Sequence, residues 1–150
     1  MILGTPAEEG GGGKVKMIDS GCYSDLDFCM MVHPAPSVHD NVFPFSLAFT
    51  SFIATFKGHS AHAAAFPWEG INALDAAVSA YNSISMLRQQ MKPTWRVHTI
   101  ITEGGVKPNI IPEKAVIEIA VRAPTKEEME SLKSKVVACC QAAAKATGII

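Results

Sequence analysis

IEIAVRAPTKEEMESLKSKVVACCQAAAKATG, residues 117–148, changes its hydrophobic period once, and that change sets the architecture. Ile117, Ile119 and Val121 recur at every second position, the period of a half-buried strand. From Thr125 the spacing becomes helical, with Met129, Leu132, Val136, Cys139/Cys140 and Ala143 on one face. Thr125 with Glu128 three residues on predicts a capping box at the helix start, and Gly148 predicts its stop.

Working toward the N-terminus, Trp95, Val97, Thr99 and Ile101 alternate as another half-buried strand after the break at Pro93. Ile71, Leu74, Val78, Tyr81 and Ile84 fall at steps of three and four and predict a helical face. Residues 50–58 predict a further strand. The order β-α-β-β-α is that of the split βαβ, ferredoxin-like unit with its last strand missing. That strand would lie beside residues 50–58, so an unpaired edge is expected there.

Residues 1–45 follow a different pattern. An apolar strand (1–4), a loop (5–13), a short helix (about 14–20) and a second apolar run (28–32) ending at His33 predict a parallel α/β unit. Pro34, Pro36 and Pro44 then break the chain, and the domain boundary is placed there, giving residues 1–45 and 46–150. Both ends read as cut, because neither carries the polar residues usual at a domain terminus. The expected fold class is therefore α/β: part of a parallel-sheet domain, then a ferredoxin-like α+β domain.

Composition excludes several partner classes. The chain is 48% hydrophobic and 18% charged with a formal net charge of -1, so it has no basic footprint for nucleic acid. No run approaches the roughly 18 apolar residues of a membrane span, and no secretory leader pattern opens the chain. Cys22, Cys29, Cys139 and Cys140 have neither CxxC nor disulfide-scaffold spacing and read as reduced packing residues of a cytoplasmic protein.

The residues suited to chemistry cluster early. Glu8 and Glu9 end the first apolar strand, in a loop stiffened by Pro6 and loosened by Gly10 to Gly13. Parallel α/β proteins place their sites at that end of the sheet. In extended backbone two adjacent carboxylates point opposite ways, so one can hold a metal while the other moves a proton. The plainer reading is of two favourable charges ahead of a positive helix end. A phosphate loop is excluded, because GxxxxGK[ST] would need glycine where Glu8 stands and Ser or Thr where Val15 stands. His33 would lie at the same sheet edge, as zinc ligand or as a satisfied, partly buried histidine. Arg122 faces away from the Ile117, Ile119, Val121 side, with Glu118, as carboxylate clamp or as solvated surface arginine. His59 and His62 stand three apart without an acidic neighbour, which makes a metal pair of their own weak.

Four stretches then occur in order: GTPAEEGGGGK (4–14), MVHP (31–34), KGHSAHAAAFPWEGINALDAAV (57–78) and GGVKPNIIPEKAVIEIAVR (104–122). Together they resemble successive motifs of the zinc metallopeptidase and aminoacylase family, which includes carboxypeptidase G, bacterial dipeptidases and plant amino-acid-conjugate hydrolases. Within it the chain is most similar to aminoacylase-like dipeptidases that cleave dipeptides with basic C-terminal residues. The resemblance implies that Glu8 is the general base, that Glu9 ligates one zinc, and that His33 stands where the other zinc takes a His or Asp. It implies that His62 is the lid-domain histidine that polarises the substrate carbonyl, usually in the partner subunit's active site. Asn109 and Arg122 correspond to lid residues that meet the substrate's carboxylate end.

The family's HxD-type motif, bridging Asp and late His have no counterpart here, so each zinc would have one protein ligand. The expectation is a fragment of a metal-dependent hydrolase of dipeptides or N-acyl amino acids, itself inactive and homodimeric through its lid domain. The competing expectations are a non-catalytic module pairing through the edge strand 95–103, and an unstable truncated product.

Overall fold

A computed structural model of the chain describes residues 1–33 and 47–149. The chain divides into two units, Met1–Phe43 and Pro44–Ile150. The prolines at which the boundary was expected, Pro34, Pro36 and Pro44, lie outside the described residues.

In the first unit the described residues hold one helix, α1 (Gly13–Asp19), and no strand. Residues 1–4 and 28–32, expected as parallel strands, are irregular. A strand has no hydrogen bonds of its own and needs a neighbour to supply them, so an apolar run alone does not make one. Ile2, Met30 and Val32 are 98%, 87% and 95% exposed, which leaves these runs without the covered faces a parallel strand requires.

The second unit is a mixed α/β fold with a small antiparallel sheet: β1 (Ala48–Lys57), α2 (Ala73–Met86), β2 (Arg96–Glu103), β3 (Lys114–Ala123) and α3 (Lys126–Ala146). The sheet order is β1-β3-β2, so β3 pairs on both sides while β1 and β2 form the edges. Ile117, Ile119 and Val121 alternate inward as their spacing predicts and are fully buried, each contributing about 1.5–3 kcal/mol of burial. Phe52, Ala54 and Phe56 of β1 and Val97 of β2 face the same core. Ile101 does not follow the alternation expected of it. The register slips between Ile101 and Glu103, and Ile101 is left 40% exposed.

Helices α2 and α3 pack against each other and against the sheet. The α3 face agrees with its spacing, with Met129, Leu132, Val136, Cys140 and Ala143 buried. Its end carries the expected stop: Ile149 N–H donates to Ala144 O at 2.9 Å and Gly148 N–H to Lys145 O at 3.4 Å. The α2 face corrects the reading of the sequence. Ala73, Ala76, Ala77 and Ala80 are fully buried with Ile84, while Ile71, Val78 and Tyr81 are 38–41% exposed. Alanines let the helix backbone approach its neighbours closely, and that gain in contact outweighs burying the larger side chains on the other face.

The start of α3 uses half of the expected box. Thr125 Oγ1 accepts from Glu128 N–H at 3.3 Å. The Glu128 carboxylate, however, turns to Lys92 and to Trp95, whose Nε1–H donates to it at 2.7 Å. These contacts tie the approach to β2 to the head of α3, and they hold the Glu128 carboxyl below its ordinary pKa. The cysteines divide by position. Cys140 is buried and Cys139 half-buried on α3, whereas Cys22 and Cys29 are exposed and so are not the packing residues expected. Burial pushes the Cys140 thiol to about 11, with Cys139 adding to the shift, so it stays protonated and unreactive at neutral pH.

Two details of this packing are testable by substitution. A carboxyl whose folded-state pKa is depressed contributes stability above the unfolded pKa of about 4.3 and loses it as pH falls through the folded value. In urea melts, the stability gap between wild type and Glu128→Gln should be constant above about pH 5.5 and shrink below about pH 4. A gap independent of pH would remove the carboxylate from the account. At Gly58, an added Cβ would lie 2.0 Å from Ile71 O, inside the paired His59 and Ile71 amide–carbonyl bonds of 2.9 Å. Gly58→Ala should therefore cost about 2 kcal/mol or more, and Gly104→Ala, which meets side-chain methyls of Leu74 and Ile101 and no backbone atom within 4 Å, distinctly less.

Candidate functional site

The two units contribute different candidate groups, and each set has its own geometry. In the first, Pro6 to Gly13 form a tight loop. Gly13 approaches Pro6 so closely that a Cβ would sit 1.8 Å from Pro6 O, and Gly13 N–H donates to Ala7 O at 3.4 Å. Only glycine fits there. Glu8 and Glu9 are exposed on this loop. The helix it leads into has no acidic residue in its first turn, and its cap is Gly12. Both carboxylates thus stand outside the first turn, where a helix dipole acts, which weakens the plain helix-charge reading.

Whether these residues suit zinc can be judged from the donor set. A catalytic zinc takes about three protein ligands. Among the described residues no three His, Cys, Asp or Glu side chains come together as a metal group, Glu9 and His33 included. The same holds for His59 and His62. They are drawn into separate bridges, His59 with Ile71 and His62 with Ile110.

In the second unit the loops that follow β1 and precede β3 are stitched together. Ile111 N–H donates to Ala61 O at 2.9 Å and Ala63 N–H to Asn109 O at 3.0 Å, on either side of His62. His62 and Asn109 are therefore brought to one end of the sheet, and both are exposed. His62 Nδ1 accepts from the amides of Ala64 and Ala65 at 3.3 and 3.1 Å. Beside these loops lies a recess of about 370 Å³, lined by Asn72, Leu74, Gly104, Lys107 and Ile110 among others.

Arg122 lies elsewhere. It faces the open side of the sheet, in register with Phe49 on β1 and Arg96 on β2. Its guanidinium carbon stands 4.4 Å from the centroid of the Phe49 ring, a cation–π contact that holds the planar fork against an aromatic face. Arg96 turns its guanidinium back to the carbonyls of Pro93 and Trp95, the latter at 2.7 Å. Phe49 was not singled out from the sequence, because cross-strand partners depend on register, which spacing within one strand does not report.

Register also separates the groups. Lys57 pairs with Lys114, and Arg122 is eight residues farther along β3, roughly 26 Å at strand rise. His62 and Asn109 lie beyond the Lys57–Lys114 end. A dipeptide backbone spans only about 7 Å. One copy of the chain does not bring His62 and Arg122 to the same small ligand.

Comparison with known proteins fits this architecture. The model of the peptidase dimerisation domain family matches residues 48–148. Xaa-Arg dipeptidase of Mus musculus is 51% identical over 148 residues, covering 99% of this chain and 34% of that protein. Indole-3-acetyl-aspartic acid hydrolase of Enterobacter agglomerans is 32% identical over 134 residues, covering 84% of this chain and 30% of that protein. The chain spans about a third of the length of the curated relatives it matches. The crystal structure of an aminobenzoyl-glutamate utilization protein from Klebsiella pneumoniae shares the fold, with a TM-score of 0.60 at 23% identity over 69% of this chain and 26% of that one. Among the described residues no helix is long and apolar enough to cross a membrane. The resemblance read from the four motifs is borne out, and the chain belongs to the peptidase dimerisation domain family.

Proposed function

We propose that this chain is a segment of a metal-dependent hydrolase that cleaves the amide bond of dipeptides or N-acyl amino acids, and that the segment alone is inactive. The observation that carries this reading is similarity over nearly the whole chain to about a third of a dipeptidase. In the complete enzyme residues 46–150 serve as a ferredoxin-like lid and dimerisation domain, and residues 1–45 as part of a parallel-sheet catalytic domain. The exposed apolar runs around Ile2 and Met30, which border a groove of about 770 Å³ with Ile18 and Phe28, support strand neighbours there that the described residues do not provide. The protein is assigned to the cytoplasm on the basis of its reduced, unscaffolded cysteines.

The proposed roles follow the chemistry of each group. Glu8 takes a proton from water and returns it to the leaving amine. Arg122, flattened on Phe49, receives the substrate carboxylate through its two parallel N–H donors, and Asn109, which lies with His62 at the far end of the sheet, contacts that carboxylate from the other copy. His62 donates a hydrogen bond to the acyl oxygen as negative charge develops on it. The separation of His62 from Arg122 favours a homodimer in which each site takes its histidine from the other copy. Zinc, with Glu9 and His33 as one ligand each, would require further ligands beyond the described residues.

Two experiments test these statements. The isolated chain, assayed with added zinc, cobalt or manganese on a dipeptide panel, should show no turnover; activity abolished by Glu8→Gln would defeat the inactive-segment reading. Sedimentation should show a concentration-dependent dimer, with edge amides of β2 gaining hydrogen-exchange protection as concentration rises. A monomer at every concentration would count against pairing through that edge.

A further inference from the structure

We propose that the backbone amides of Ala64 and Ala65 are positioning groups that fix the tautomer of His62, holding its proton on Nε2 so that the ring offers a ligand a hydrogen-bond donor. The geometry is local and complete. Nδ1 accepts from both amides, at 3.3 and 3.1 Å, and the His62 carbonyl accepts from Ala65 N–H at 3.2 Å and Phe66 N–H at 3.1 Å. His62 thus caps its own turn through side chain and main chain together. On either side of His62, the bonds from Ile111 N–H to Ala61 O and from Ala63 N–H to Asn109 O anchor the backbone from which the ring projects. The residues that follow are alanines, which leave the ring exposed.

A neutral imidazole has one donor nitrogen and one acceptor nitrogen. With two amide protons aimed at Nδ1, that nitrogen must be the acceptor, and the proton resides on Nε2. The alternative tautomer would point an N–H at two other N–H groups and strip both amides of their side-chain acceptor. Two consequences follow for the class of ligand. An acceptor oxygen, such as a carbonyl or the oxyanion formed from it, matches an Nε2–H donor. A metal ion does not, because binding at Nε2 needs that proton gone while Nδ1 is engaged as an acceptor. The use of this donor in amide hydrolysis rests on the function proposed above; the tautomer itself does not.

Nitrogen-15 NMR of the whole 150-residue chain, above the usual imidazole titration range, reads the proposal directly. His62 should show a proton bonded to Nε2, an unprotonated Nδ1, and a coupling across the hydrogen bond between Nδ1 and an amide nitrogen of Ala64 or Ala65. His62→Asn, whose side-chain oxygen can cap the same turn, should keep the Ala64 and Ala65 amide shifts near their wild-type values. His62→Leu should move both, while amides of β3 stay in place and report an intact fold. Added zinc ion should leave the His62 Nε2–H signal unchanged. A proton on Nδ1, averaged tautomers, unmoved amides in His62→Leu, or loss of Nε2–H to zinc would each overturn the proposal. Absence of a hydrolase altogether would leave these signals as described, so failure of the tautomer and failure of the function are told apart.

Discussion

Among the described residues strand β3 is the one paired on both sides, and its register determines where the candidate groups of the second unit fall. Its inward row, Ile117, Ile119 and Val121, is fully buried under α2 and α3. Its outward row presents Glu118 and Arg122 to the open face. Shifting the pairing by one residue would exchange these rows, burying a guanidinium and a carboxylate and exposing three β-branched side chains. The hydrophobic driving force that holds the core and the placement of Arg122 opposite Phe49 are thus the same constraint.

That constraint extends to the ends of the sheet. Beyond the Lys57–Lys114 pair the ladder continues as isolated bridges through the loops, so His62 and Asn109 are carried on backbone that is hydrogen-bonded though not regular strand. Exposed loops usually carry function at the cost of order. Here the close approach at Gly58 and the amides around His62 restore order locally, without burying the ring. The opposite end of the sheet holds Arg122 by a different device, an aromatic face. Two candidate groups are each held in place, at separate ends of one small sheet.

The second unit was largely legible in the sequence and the first was not, for physical reasons that particular residues show. Alternation at Ile117, Ile119 and Val121 and the three-four spacing from Met129 to Ala143 each identify an element whose partner face is predetermined by period alone. The α2 reading erred because size was taken as the sign of burial. Val78 and Tyr81 are larger than Ala76 and Ala77, but closeness of approach decided the face. Residues 1–4 and 28–32 erred differently: an apolar run reports what must be covered, not what covers it. Among the candidate residues, only residue types were readable from the motifs. The Phe49 contact of Arg122 and the amide partners of His62 were not, since they depend on pairing register and on a turn whose alanines carry no chemical signal.

The carboxylates of the first unit and the donor groups of the second also differ in how much of their environment the described residues supply. His62 obtains its orientation from bonds within three residues of itself, and Arg122 from its cross-strand neighbour, so both are set by the folding of the second unit alone. Glu8 and Glu9 obtain from their own loop only a backbone shape, fixed by the close packing of Gly13 on Pro6. A carboxylate becomes a useful base or ligand through what surrounds it: burial, a neighbouring charge, or a metal. Exposed on a short loop, neither is buried, and neither belongs to a metal-holding group among the described residues. The donors of His62 and Arg122 are organised before any ligand arrives, whereas the carboxylate pair takes from the described residues only the shape of its loop.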